Sequence, residues 1–417
     1  MKSKIEKILE RIVEIAIYGL IFIIPFSKAG IEIFGITAIV AWSIKTLLMR
    51  SNPLASLPKY VVFTLSLLFL ANLASCVVSV SLAHSMKALF TKTLEYMLFF
   101  LIVAEVFSDA KKIKILLKVV FVSISLFYID GIIQYITGID LVRKNFLCGT
   151  RITGSMLSPN DFGTYAIIFI PILFSFVVAK NQPLGRRIVI SVIFSTALLC
   201  IFFSYSRASW VGFIVMVLFF IFVKNKWLFF FFVLFSVISL FPLQDFVKES
   251  MRKENIQNKV FADPGTYQRF FMAKEAISII IDYPVSGTGL NTYTTVAPKY
   301  KLHRFGGIYP HNSYLHKTAE TGLVGIGAFF LFVWSLYSIG IRSLWLLSSK
   351  NMTNNIEYIL IRGLMAGLVG LLVNAFFDTT LYALMLITTF WIISGILIAA
   401  CNVTSQKLKL DFKTINK

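Results

Sequence analysis

The stretch Tyr309-Pro310-His311-Asn312-Ser313-Tyr314-Leu315 ends a polar interval of the chain, roughly residues 244–317, and the sequence on both sides of that interval is strongly apolar. The interval holds three of the four histidines, His303, His311 and His316. Because so much of the chain is apolar, we expect chemistry in water to take place within this interval and at the helix ends that face it.

The apolar parts identify the class of protein. Of the 417 residues 57% are hydrophobic, and the mean hydropathy is +0.80, whereas soluble domains are about 45–50% apolar. Apolar runs of about 18 residues or more recur along the chain, and they do not alternate as barrel strands do. The first run lacks an A-x-A-like cleavage site, which indicates a retained helix. The sequence predicts an all-α polytopic membrane protein embedded in the lipid bilayer.

The net charge of +20 raises the question of nucleic-acid binding. Lys and Arg flank the apolar runs, as expected of loops beside membrane helices, so we expect no nucleic-acid partner. The four cysteines are scattered and form no disulfide framework or zinc pattern.

The apolar runs predict about twelve transmembrane helices. They lie near residues 12–27, 30–49, 60–80, 88–107, 114–137, 161–179, 188–205, 208–223, 227–243, 314–341, 358–377 and 380–401. An even number of spans places both termini on one side of the membrane. Short basic connections, such as 111–114 and 342–350, mark that side as cytoplasmic under the positive-inside rule.

The long connection between spans nine and ten is expected on the opposite side. Residues 244–313 are basic, but long loops cross the membrane largely regardless of charge. The chain is thus predicted to have three regions: spans one to nine in residues 1–243, an extracytoplasmic loop domain in 244–313, and spans ten to twelve with a cytoplasmic tail in 314–417.

Two features of this loop and of the next span are predicted. Thr266 can cap a helix that runs to about Asp282, where Pro284 stops it. Its apolar stripe is expected to consist of Phe270, Ala273, Ile277 and Ile280. The tenth span continues for about 52 Å at about 1.5 Å per residue, beyond the roughly 30 Å of a bilayer core. Its first turns, with His316 and Glu320, should stand above the membrane, and Gly322, Gly325 and Gly327 suit close helix packing.

Three arginines are candidates for binding an anion. Arg207 follows Ser204-Tyr205-Ser206 between spans seven and eight, and it is either an interfacial anchor or an anion clamp. Arg269 should lie in the first turn of the loop helix, where free N–H groups favour an anion; the alternative is a surface arginine paired with Asp263. Arg151, in the loop before span six, could join a phosphate site.

His311 is the candidate general base, since an imidazole titrates near neutral pH. The alternative is a solvated loop histidine. A zinc site of His303, His311 and His316 is disfavoured because spacings of eight and five residues match no common ligand pattern. The sequence also lacks a Walker loop, a full G-x-G-x-x-G and an Asp-x-Asp pair. Its spans hold few acidic residues, which argues against an ion-coupled transporter.

Taken together, these motifs resemble the O-antigen ligase and polymerase superfamily. The resemblance rests on the order and sidedness of Ser-x-Ser-Arg at 204–207, Arg269 ahead of Pro284-x-x-Gly287-x-Gly289-Leu-Asn-x-Tyr293, His311-Asn312, and Glu320-Thr-Gly322-Leu-Val-Gly325. Arg151-x-x-Gly154 and Pro159-Asn160 are similar to the superfamily's loop before span six.

The resemblance implies a metal-independent, inverting glycosyltransferase of C-type architecture, without a cofactor, in the bacterial inner membrane. The donor would be a glycan on undecaprenyl diphosphate, and the ligase branch would transfer it to lipid A–core on the periplasmic face. By resemblance, Arg207 and Arg269 hold the diphosphate with Arg151, His311 is the base, and Asn312, Tyr314 and Glu320 support the site. A polymerase that joins lipid-linked repeats, a pilin-glycosylating enzyme, and a polysaccharide or lipid transporter remain alternatives.

Overall fold

The computed structural model describes residues 2–179, 182–224, 264–302 and 308–415, and these are predominantly helical. The helices are α1 (Lys2–Ile23), α2 (Lys28–Met49), α3 (Lys59–Val77), α4 (Leu82–Ala88), α5 (Glu95–Val106), α6 (Ala110–Thr137), α7 (Pro159–Val177), α8 (Leu184–Ser204), α9 (Arg207–Lys224), α10 (Pro264–Asp282), α11 (Tyr293–Val296), α12 (Ser313–Ser349), α13 (Ile356–Asn374) and α14 (Leu384–Ile415). A π-helical turn, Leu89–Leu94, joins α4 to α5.

Eight of the described helices are long and apolar enough to cross a membrane. They are α2, α3, α6, α7, α8, α12, α13 and α14, and each coincides with a predicted span. Three further predicted spans correspond to helices that do not meet this criterion. The helix at 12–27 is charged at one end, the one at 88–107 is interrupted by the π-helical turn, and the one at 208–223 is short. The predicted span 227–243 lies outside the described residues. The prediction of a polytopic helical membrane protein is confirmed, and the count of twelve stays a prediction.

Glycines let the central helices approach closely. A Cβ on Gly367 of α13 would stand 2.2 Å from the carbonyl oxygen of Ile168 in α7, and one on Gly363 would stand 2.7 Å from Cα of Ile172. Small residues in a membrane interface allow backbones to pack in this way. The pair α7 and α13 therefore forms a tight unit, and its two helices carry neighbouring parts of the site described below.

Helix α12 is interrupted near its start, which the sequence did not predict. Gly322 has φ 65° and ψ −174°, a conformation that is essentially restricted to glycine. It breaks the helix between Thr321 and Leu323 and is not simply a packing glycine within a continuous span. Helical hydrogen bonds cannot pass this point, so the carbonyl groups just before it need other donors.

A glycine-rich turn supplies those donors. The backbone N–H groups of Thr288 and Gly289 donate to the carbonyl oxygens of Ala319 and Glu320, both at 2.9 Å. Gly287 and Gly289 have φ of 69° and 108°, as a tight turn requires. On its other side the turn touches the end of α3, where the N–H of Val80 donates to Thr288 at 3.0 Å. The turn is thus wedged between α3 and the break in α12.

The predicted loop helix is present as α10, with two corrections. It begins at Pro264 and not after Thr266, so Arg269 lies in its second turn and not in the first. Its buried face consists of Met272, Ala276 and Ile279, whereas Phe270 and Ile277 of the predicted stripe are 45% and 46% exposed. The face shifted because α10 packs through small Ala276 against Ala319 of α12.

Candidate active site

The site begins at the residue that precedes α12. His311 has φ 45°, in the left-handed region that few residues other than glycine adopt. Asn312 then caps the helix, because its Oδ1 accepts from the N–H groups of Tyr314 and Leu315 at 2.9 and 3.0 Å. Ser313 donates its N–H to the carbonyl of Ala375 at 2.8 Å. The His311 backbone is therefore held against the loop between α13 and α14.

That loop supplies a carboxylate to the histidine. Nδ1 of His311 lies 3.0 Å from Oδ1 of Asp378, and the two side chains are 37% and 18% exposed. Burial alone would raise the pKa of Asp378, but hydrogen bonds from His311, Asn160 and the Thr379 backbone outweigh it and lower the pKa. An ionised carboxylate can only accept, so the proton on this ring lies on Nδ1, and Nε2 is left as the acceptor.

The same carboxylate connects the histidine to an arginine. Nδ2 of Asn160, in the first turn of α7, donates to Oδ2 of Asp378 at 2.9 Å. Oδ1 of Asn160 accepts from Nη2 of Arg151 at 2.9 Å. One asparagine amide therefore joins a cation to an anion, and four side chains form a continuous chain from Arg151 through Asn160 and Asp378 to His311.

Arg207 and Arg269 lie within electrostatic reach of Arg151. Burial is the largest cause that lowers the pKa of Arg151, and the positive charges of Arg207 and Arg269 lower it further, against a raising effect of Cys148. Nε of Arg151 also donates to the carbonyl of Ser204 at 2.9 Å, which ties it to the turn before Arg207. The three predicted arginines are thus close enough to interact electrostatically, and their combined positive charge is suited to an anion.

A cleft of about 540 Å³ opens at this end of the bundle. Its wall includes Asn160, His311 and Asp378, and on another side His316, Glu320 and Tyr382. The volume lies within the range of about 300–1,000 Å³ that is typical of ligand sites. The imidazole of His311 is therefore accessible to a ligand of the size of one or two sugars.

A second polar cluster stands on the first piece of α12. Nε2 of His316 lies 3.3 Å from Oε1 of Glu320, and both residues are 2% exposed. The ring of His316 stacks on Tyr382 with centroids 3.6 Å apart, and the Tyr382 hydroxyl donates to Oε2 of Glu320 at 3.1 Å. Nδ1 of His316 is buried without a hydrogen-bond partner in the described part of the chain. Glu320 is thus buried in the wall of the cleft, where it contacts both Tyr382 and His316.

The remaining predicted residues have structural surroundings. The hydroxyl of Tyr314 donates to the carbonyl of Leu372 at 2.7 Å, and its ring lies 4.3 Å from that of Phe376. Tyr314 therefore fastens α12 to α13, and Asn312 acts as the helix cap. His303 lies outside the described residues; within them no three His, Cys, Asp or Glu side chains lie close enough together to hold a metal ion.

Sequence reasoning missed Asp378 and the linking role of Asn160. Asp378 is the carboxylate of a very short connection between two apolar spans, and that connection was predicted to face the same side as His311. An acidic side chain in a loop of so few residues, on the side that carries a candidate base, was the available signal. The position of Asn160 between Arg151 and Asp378 depends on the packing of α7 against α13.

The comparisons with known proteins fit this geometry. Residues 190–330 match the family model described as O-antigen ligase. The matched segment runs from α8 into α12 and includes Arg207, Arg269, His311 and Glu320. A search of curated proteins gave no match. The resemblance to the O-antigen ligase and polymerase superfamily is thereby confirmed.

Proposed function

Because residues 190–330 match the family model described as O-antigen ligase, we propose that the chain is a glycosyltransferase that moves a glycan from undecaprenyl diphosphate to lipid A–core oligosaccharide. The observation that carries this proposal is the unbroken hydrogen-bonded chain from Arg151 through Asn160 and Asp378 to His311. This series of hydrogen bonds joins the two features that a transfer from a diphosphate requires. One is a group of arginines suited to binding the diphosphate, and the other is a base oriented by a carboxylate.

In this mechanism His311 accepts the proton of the acceptor hydroxyl on Nε2. The hydroxyl oxygen forms a bond to the anomeric carbon as the bond from that carbon to the diphosphate oxygen breaks. The bonding electron pair leaves with the diphosphate, and the configuration of the anomeric carbon inverts. Asp378 holds the ring in the correct tautomer and stabilises the imidazolium that forms, as a triad carboxylate does.

The arginines act on the leaving group. Negative charge grows on the diphosphate as the anomeric bond breaks, and fixed positive groups stabilise such charge most where water is excluded. Arg151 contacts Asn160, and Arg207 and Arg269 lie within electrostatic reach of Arg151, so the three arginines fit this role. The site needs no separate energy source in this scheme, because the diphosphate bond already activates the donor. The proposed location is the periplasmic face of the inner membrane.

The test is transfer by the purified protein in detergent. A lipid-linked glycan donor and a lipid A–core acceptor should give the ligated product. His311→Ala should lower turnover by about 10²–10⁴-fold, the usual contribution of a positioned base, and should leave donor binding intact. A chelator should have no effect. Loss of activity on chelation, or full turnover of the variant, would contradict this mechanism.

The acceptor is tested separately, because ligases and polymerases share the donor. Deletion of the gene followed by gel analysis of lipopolysaccharide should leave bare core. Core that carries a single repeat would instead identify a polymerase. If the purified protein transfers no glycan with either acceptor, both enzyme assignments fail, and a transport assay becomes the next experiment.

A further inference from the structure

A second cavity adjoins the catalytic cleft. It encloses about 350 Å³ between α3, the π-helical turn, α12 and α14. Much of its lining is apolar and includes Leu68, Phe329, Leu384, Ile387 and Trp391. It meets the cleft at Lys92, Asn291, Glu320 and Tyr382, which line both spaces. We refer to it as the lysine crevice, after Lys92 and Lys317.

The polar residues of the crevice are suited to a ligand that carries negative charge. Nζ of Lys92 donates to Oδ1 of Asn291 at 2.8 Å, and Nζ of Lys317 lies 5.6 Å from the ring centroid of Phe329. Glu320 is engaged by Tyr382 and His316. Among the described residues, neither lysine forms an ion pair with a carboxylate. Among the described residues that line this mainly apolar space, the two lysines outnumber the single carboxylate, that of Glu320, which acts electrostatically on Lys317.

A second, independent observation points to a ligand. Asn72 of α3 is 2% exposed and lines the crevice, yet its Oδ1 has no hydrogen-bond partner among the described residues. An unsatisfied buried carbonyl oxygen lowers stability, and a hydrogen-bond donor on a bound molecule would recover that loss. The expected ligand thus combines an anionic group, a hydroxyl or amide donor and an apolar chain.

The reaction geometry distinguishes between the two lipid substrates. In a direct displacement the acceptor hydroxyl and the leaving diphosphate lie on opposite sides of the anomeric carbon, so the two lipids need separate places. In the proposed mechanism the donor diphosphate lies beside the arginines, at the Arg151 end of the series of hydrogen bonds that starts at His311. The crevice joins the cleft through residues that do not belong to that series of hydrogen bonds, and none of the described residues that line it is an arginine.

On these grounds we propose that the lysine crevice binds the acceptor, as a phosphorylated lipid whose acyl chain enters the apolar space and whose phosphate contacts Lys92 and Lys317. This proposal rests on the proposed function, since it assigns the second substrate of the same site. A basic pocket between membrane helices is a recognised arrangement for an anionic lipid headgroup.

The test measures binding without transfer, so that it stands even if catalysis fails. Purified protein is titrated in detergent with diphosphoryl lipid A, with lipid A stripped of both phosphates, and with undecaprenyl diphosphate, and the bound lipid is counted by native mass spectrometry. The double variant Lys92→Gln/Lys317→Gln should bind diphosphoryl lipid A at least about tenfold more weakly, because charge-assisted hydrogen bonds are lost. Its affinity for the other two lipids should stay within about twofold.

Two further variants sharpen the outcome. Lys92→Gln alone changes an exposed side chain and should fold normally, with a loss of at least about threefold for diphosphoryl lipid A. Lys87→Gln is the matched control, since Lys87 is exposed on α4 and does not line the crevice. Unchanged lipid A binding in the double variant overturns the proposal, and so does a selective loss of undecaprenyl diphosphate, which would assign the crevice to the donor chain. Intact binding without glycan transfer would instead count against the proposed function.

Discussion

The substitution Asp378→Asn probes the hydrogen-bonded connection between His311 and Arg151. The carboxylate accepts from His311, Asn160 and the Thr379 backbone, at 3.0, 2.9 and 2.8 Å. An asparagine offers one oxygen and one NH₂ group in the same space. The NH₂ group of the introduced asparagine must therefore face a hydrogen-bond donor, on either the His311 side or the Asn160 side. As a result, either the His311 ring changes tautomer or Asn160 turns its amide away from Arg151.

The magnitude follows from the lost charge. A hydrogen bond to a charged group is worth about 1.5–3 kcal/mol, which corresponds to a fall in kcat of about 10- to 150-fold. The corresponding change in a buried catalytic triad costs about 10⁴. We expect the smaller effect because the side chain of His311 is 37% exposed, and water supports part of its charge.

The pH profile gives a second readout. The pKa of Asp378 lies below its usual value, so the carboxylate stays ionised throughout the range in which a histidine titrates. The carboxylate that orients the ring is therefore present at every pH in that range. The fall in kcat caused by Asp378→Asn should accordingly persist from neutral to mildly acidic pH.

The assay is the initial rate of glycan transfer in detergent, at saturating donor and acceptor, from neutral to mildly acidic pH. Asp282→Asn is the matched control, because Asp282 is exposed at the end of α10 and pairs with Tyr300. An unchanged kcat in Asp378→Asn across this pH range would refute the assigned role of Asp378.

Three further predictions concern other parts of the chain. Gly322→Ala should destabilise the protein by at least about 1–3 kcal/mol, seen as a lower unfolding temperature, since its Cβ would stand 2.1 Å from the carbonyl oxygen of Val285. Arg207→Lys and Arg269→Lys should each lower kcat/KM about tenfold or more in the transfer assay, because lysine lacks the planar fork that grips phosphate. Exposed Cys148 should react with a membrane-impermeant thiol reagent in intact spheroplasts, since its loop is predicted to be extracytoplasmic.

Each of these predictions has a control and an outcome that contradicts it. Gly327→Ala should leave stability unchanged or slightly raised, as no atom of the described residues lies within 4 Å of its added Cβ. Equal unfolding temperatures for both alanine variants would remove the case for strain at Gly322. Full activity in both lysine variants would identify ordinary interfacial arginines. Cys148→Ser should abolish the labelling, and labelling of the wild type only after lysis would reverse the predicted topology.

Hydrophobicity predicted most of the membrane framework because helix length and bilayer thickness are tightly linked. The runs that became α6 and α13, for example, were located to within a few residues. The buried face of α10 was misplaced because its partner is another helix. Ala276 gains its burial from Ala319, which lies far along the chain, and no local pattern contains that contact.

The site was predictable in part for a similar reason. His311 and the arginines stood out as charged or titratable side chains near apolar sequence. Their connection through Asn160 and Asp378 joins three separate parts of the chain and depends on tertiary packing. The break at Gly322 was missed because a positive φ leaves no trace in an apolar periodicity that continues through it.

The break in α12 also has a mechanical consequence for a protein in a fluid bilayer. From Leu323 onward the helix is roughly 40 Å long, and a span longer than the bilayer core tilts as membrane thickness changes. In a continuous rod that tilt would swing the far end and carry His311 with it. Here the first piece is held by the glycine-rich turn and by the contact of Ser313 with Ala375. We expect Gly322 to act as a pivot, so that the span can follow the membrane while His311 keeps its hydrogen bond to Asp378.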